Sequence, residues 1–109
     1  MPKFLFCGTY TVQGLEELRR SGAGWSRSVV QELVEAAGGT LESLYWAFGH
    51  EDLYCVADLP DTVAAGAVTL AVAMRGDLRL RTVVLETTDD VDAALQGASR
   101  LGDAAPDGA

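Results

Sequence analysis

The chain has 109 residues, long enough for one domain with one core, and its 16 acidic against 8 basic residues give a net charge of −8. That balance argues against a nucleic-acid partner, which wants a basic face. Hydrophobic residues make up 49% of the sequence, high for a small monomer, yet no apolar run is long enough to span a bilayer and the N-terminus lacks a secretory pattern. The expectation is a cytoplasmic protein, not membrane-bound, that hides part of its apolar surface by self-association.

Pro2–Thr11 reads as a strand, with Phe4, Phe6, Gly8 and Tyr10 on one face and Lys3, Leu5, Cys7 and Thr9 on the other. Both faces are apolar in the middle, which predicts a central strand. Gly8 inside it predicts a bulge or a close approach. Thr11 can cap a helix whose apolar stripe starts at Leu15 and Leu18. Ser21-Gly22-Ala23-Gly24 interrupts the pattern, which resumes at Trp25 or Ser26 and carries Val29, Val30, Leu33, Val34 and Ala37 to the stop at Gly38-Gly39. Trp25, beside this elbow, is either a lid over the core or a gate over a pocket.

Leu41–Pro60 is predicted to be a β-hairpin, two aromatic-rich runs flanking Gly49-His50-Glu51-Asp52. With His50-Glu51 as a two-residue turn, Phe48 faces Leu53, Trp46 faces Cys55 and Tyr45 faces Val56. One face then carries Leu44, Trp46, Phe48, Leu53, Cys55, Ala57 and Leu59, a plain core. The other carries Ser43, Tyr45, Ala47, Asp52, Tyr54, Val56 and Asp58, a mixture of rings and carboxylates that suits a ligand pocket or a partly polar interface. A helix follows over Thr62–Met74, capped by Asp61 or Thr62, so poor in charge that it should be buried on more than one side. Leu78–Thr87 is the last strand, with Arg79 and Arg81 on one face. Thr88-Asp89-Asp90 starts a short helix to about Gly97. The domain is predicted over 1–97, with a flexible tail over 98–109.

The order β-α-β-β-α-β, plus a terminal helix, is the ferredoxin-like pattern: an α+β fold with an antiparallel sheet, spatial order 4-1-3-2, and helices on one face. The bare face still carries Tyr, Val, Phe and Leu. A second subunit should cover it face to face, giving a homodimer with a barrel-like shape around a small cavity.

His50, Glu51 and Asp52 form the densest titratable cluster. His50 beside carboxylates could act as a general base, or the three could be a solvated turn. Asp52 is expected to matter more than His50, because it begins a strand while His50 sits at the tip. The second candidate pocket joins Asp52, Tyr54 and Asp58 with Tyr10, Tyr45, Arg79 and Arg81. There Tyr could donate a proton or hydrogen bond, Asp could take a proton and Arg could hold an anion. The competing reading is a polar dimer interface. Cys7 and Cys55 lie in no CxxC or Cys/His cluster and are expected to be reduced core residues. No metal and no cofactor is expected, since phosphate-loop, flavin and nicotinamide fingerprints are absent. Three functions compete: a small-molecule-binding barrel acting as a cofactor-independent enzyme by proton transfer, of isomerase, cyclase or monooxygenase type, on a small carbonyl or aromatic substrate; a non-enzymatic ligand-binding or accessory protein; and a structural oligomer.

Three segments resemble the GYD domain family, a small bacterial and archaeal group within the dimeric α+β barrels: PKFLFCGTYT at 2–11, VQELVEAAGG at 30–39 and YWAFGHEDLYCVADLP at 45–60. The family's name motif falls on Gly49, Glu51 and Asp52, with Glu51 where the family has Tyr. The resemblance implies the fold and a dimer. It does not select an activity, because related barrels include monooxygenases, isomerases, cyclases and plain ligand binders.

Overall fold

The computed structural model describes residues 1–104, and the last five residues of the expected tail lie outside it. The elements are β1 (Lys3–Tyr10), α1 (Val12–Ser21), α2 (Ala23–Ala36), β2 (Thr40–Trp46), β3 (Leu53–Asp58), α3 (Thr62–Arg75), β4 (Leu78–Leu85) and α4 (Thr88–Ala104). The four strands make one antiparallel sheet in the order β2-β3-β1-β4, which read from the β4 edge is 4-1-3-2. β1 is interior, as its two apolar faces require.

Period-2 alternation decides what each strand buries. Phe4, Phe6 and Tyr10 of β1, Leu53, Cys55 and Ala57 of β3, Leu44 of β2 and Leu78 of β4 point into the core. They meet Val30 and Val34 of α2 and Ala65, Val68 and Val72 of α3. These helices therefore cover one face of the sheet. Gly8 sits in regular pairing with Leu53 and Leu80, so it makes no bulge. A Cβ there would lie 3.1 Å from a Leu78 methyl, which makes Gly8 the close approach. The bulge is in β2, between Leu41 and Ser43.

The hairpin has a longer connection than expected. Trp46 pairs with Leu53, Tyr45 with Tyr54 and Leu44 with Cys55. Relative to a His50-Glu51 turn the register moves by two residues, so each side chain keeps its face while its partner changes. Phe48 leaves the core for an exposed position with φ +50°. Asp52 explains the longer loop. Its N–H donates to the Gly8 carbonyl (2.9 Å), its carbonyl accepts from Ala47 N–H (3.1 Å) and its carboxylate accepts from Tyr10 N–H (3.0 Å).

The predicted broken helix is two helices meeting at Gly22, whose φ of +87° favours glycine. Thr11 caps α1 by accepting from Gly14 N–H (3.0 Å) and ties it to the α3–β4 turn by donating to the Gly76 carbonyl (2.6 Å). Two expectations give way. α3 is buried on one side only, with Val63, Leu70 and Met74 exposed. The terminal helix does not stop near Gly97: α4 runs on to Ala104, across the predicted 98–109 boundary, with no buried residue. It projects from the body and stretches the described chain to 61 Å.

Candidate functional site

Alternation distributes the predicted site residues over both sides of the sheet. Tyr10, at the end of β1, points to the helix side. Tyr45, Tyr54, Asp58, Arg79 and Arg81 point to the open side. Asp58 is further separated. It pairs with Lys3 (2.9 Å), which also holds Glu42 at the bulge (3.0 Å). Four residue steps of β1, about 13 Å of strand, separate Lys3 from Cys7, the register partner of Tyr54 and Arg81. Arg79 and Tyr45 are exposed, and His50 is exposed at the loop tip.

On the helix side a narrow cleft opens where β1 ends and β4 begins. Val29 and Val30 of α2, Val72 of α3 and Leu78 of β4 form its apolar walls together with Trp25. Its polar groups are Tyr10, Ser26, Arg75 and Asp77. The Tyr10 hydroxyl accepts from Trp46 Nε1 (3.0 Å) and shares a hydrogen with the buried Ser26 hydroxyl (2.7 Å). Arg75 stacks over the Trp25 ring, 6.0 Å from its centroid, and reaches Asp77 at 3.4 Å. Space inside amounts to about one water while Trp25 stays in place. Trp25 is half-buried and lines the cleft together with Tyr10.

Asp52 enters this arrangement indirectly. Its carboxylate fixes the backbone of Tyr10, so it positions a residue that lines the cleft. A carboxylate accepting from a backbone N–H is a strong local anchor. His50 is not drawn to it.

The open side carries a second cluster that sequence reasoning treated as a turn. Glu51 is buried beneath Arg81, which donates through Nε (3.1 Å) and Nη2 (2.6 Å) to one carboxylate oxygen. Cys7 is buried next to them. Burial, then the negative charge of Glu51, push its thiol pKa up. The Glu51 hydrogen bond likewise raises Arg81. The clue was available in part: Arg81 is one of two alternating arginines, and Glu51 occupies the family's Tyr position. What places them together is β1–β4 register, which no local pattern reports. Among the described residues no group of three His, Cys, Asp or Glu side chains is placed to hold a metal, and no helix is long and apolar enough to cross a membrane.

Cys55 lies on the core side and is pushed up from 9.0 to about 12, chiefly by burial. The folded protein therefore keeps this proton in a range where the unfolded chain releases it. That contribution is intact below about pH 8 and is lost as pH rises from about 9 toward 12. One unit is worth about 1.4 kcal/mol, so near pH 10 the protein should be about 1–1.5 kcal/mol less stable than at pH 7 through Cys55. Cys7 acts in the same direction. Urea midpoints at pH 7, 8.5 and 10 should fall in that order. The slope should flatten in Cys55→Ala, which is less stable at every pH, and an equal slope in that variant would rule this cause out.

No curated protein matches the chain. The family model described as GYD domain matches residues 4–95, from the second residue of β1 into the middle of α4. With so much of the chain matched, the helix-side cleft, the Asp52 anchor and the Glu51–Arg81 pair are features of a protein that belongs to the GYD domain family.

Proposed function

We propose that the protein binds a small, planar, mostly apolar molecule in the cleft beneath Trp25, and that it does so as a homodimer whose open sheet faces pack together. The observation that carries the binding reading is the Tyr10 hydroxyl. Tyr10 lines the cleft with apolar walls, and its hydroxyl is already paired with Ser26 and Trp46. Such a site, a few convergent polar groups in an apolar recess, orients one carbonyl or hydroxyl of a ligand. Arg75 at the mouth suits an anionic substituent. Entry requires Trp25 to swing aside, and the glycines at 22 and 24 flank it on the chain side. The dimer reading is supported by Leu5, Val56, Val83 and Leu85, half-buried on a face that no helix among the described residues covers.

Native mass spectrometry of the purified protein should show a co-purifying small molecule. Failing that, a panel of aromatic ketones, phenols and aryl carboxylates should raise the melting temperature and quench Trp25. Tyr10→Phe keeps the ring and removes the hydroxyl, and should weaken the best binder about tenfold, the worth of one hydrogen bond near 1.4 kcal/mol. Equal binding by Tyr10→Phe, or no binder from either route, defeats the reading.

A further inference from the structure

Two apolar helix faces have no partner among the described residues. The first is the outer stripe of α3, Val63, Ala67, Leu70 and Met74, at spacings of four, three and four. It continues into a groove between α3 and α2 floored by Ala36, Ala71 and Leu33. The second is α4, whose Val91, Leu95, Ala98 and Leu101 lie on one side, the larger three all exposed.

The two faces do not meet within one chain. Only Glu86 and Thr87 join β4 to α4, and the start of α4 is locked. Thr87 Oγ1 accepts from Asp90 N–H (3.1 Å) while the Asp90 carboxylate accepts from Thr87 N–H (3.1 Å). This reciprocal cap fixes the first turn of α4 on Thr87.

We propose that α4 of one copy docks antiparallel to α3 along the α2–α3 groove of a second copy, a helix-in-groove contact made reciprocally by two chains. The lengths fit: 14 residues of α3 span about 21 Å and 17 residues of α4 about 26 Å. The spacings fit as well. Antiparallel, Val91 meets Met74, Leu95 meets Leu70 and Ala98 meets Ala67. Small residues at 36, 67 and 71 let the backbones approach. Charge selects the direction, because it brings Asp89, Asp90 and Asp92 of α4 toward Arg75 and Arg100 toward Asp61. Since α3 lies on the helix side, this contact is separate from any pairing of open sheet faces, and it meets the ligand cleft only at Arg75.

Light scattering of the full chain tests it. Leu95→Asp and Leu70→Asp, on the two sides of the contact, should each halve the native mass while circular dichroism keeps the strand signal. Mixing a tagged Leu95→Cys chain with an untagged Leu70→Cys chain under mild oxidation should give a disulfide-linked pair of unlike chains; the native thiols are buried. Unchanged mass in either variant overturns the proposal. So does a Leu95→Cys/Leu70→Cys chain that cross-links only within itself, which would place α4 on its own α3.

Discussion

Gly14→Ala is expected to destabilise the protein by roughly 2–3 kcal/mol, against the sign of helix propensity. Inside a helix, Ala is preferred over Gly by about 1 kcal/mol. At Gly14, however, a Cβ would stand 1.8 Å from the Asp77 carbonyl oxygen and 2.7 Å from its carbon. The obstacle is backbone, and that carbonyl already accepts from Thr11 N–H (3.1 Å). α1 must lift off the α3–β4 turn, breaking the Thr11 contacts to Gly76 and Asp77. Forced overpacking costs about 1–3 kcal/mol, occasionally more. For about 100 residues, a loss of 2–3 kcal/mol lowers the melting temperature by roughly 10–20 °C. Gly24→Ala is the matched control. It lies in α2 with nothing within 4 Å of its added Cβ, and should be neutral or slightly stabilising. Gly14→Ala melting at or above wild type would show that the turn yields cheaply.

Val56→Asp should dissociate the proposed sheet-face dimer while leaving the subunit folded. Val56 is half-buried on the open face, in register with Leu5 of β1 and Ser43 of β2. In a lone subunit an aspartate there reaches water at small cost. Between two packed sheets it would be an unpaired buried charge, opposite its own symmetry mate or apolar residues, at a cost of several kcal/mol. A penalty near 4 kcal/mol weakens dimerisation about a thousandfold. Sedimentation at micromolar concentration should then show the mass halved. Combined with Leu70→Asp, which acts on the helix side, it should leave a monomer. A Val56→Asp protein of unchanged mass would mean that the open face is not the interface.

The placement of the candidate site was legible only in pieces. Tyr10, Trp25 and Asp52 each stand out in the sequence as site candidates. Their relation was not, because it runs through Asp52 accepting from Tyr10 N–H, a contact across 42 positions that depends on loop length. A two-residue turn would have kept Phe48 opposite Leu53. The six residues between Trp46 and Leu53 move the pairing by two instead. Glu51 looked like a solvated turn residue, since nothing local reveals that Arg81 reaches over it from two strands away.

The sequence alone determined the elements and their faces. Period-2 and 3.6-residue alternation, the Thr11 and Asp61 caps and the glycines at 22, 38 and 76 are local physics, each visible within a few residues. Together with the β-α-β-β-α-β order they give the helix-covered antiparallel sheet. Tertiary structure decided what depends on pairs distant in the chain: the hairpin register, the burial of Glu51 and Cys7, the separation of Asp58 from Arg81, and the reach of α4. Side-chain periodicity says which face a residue takes but not which residue stands opposite. A two-residue slip preserves every face while changing every partner. Only the assembled sheet, with β1 between β3 and β4, removes that degeneracy.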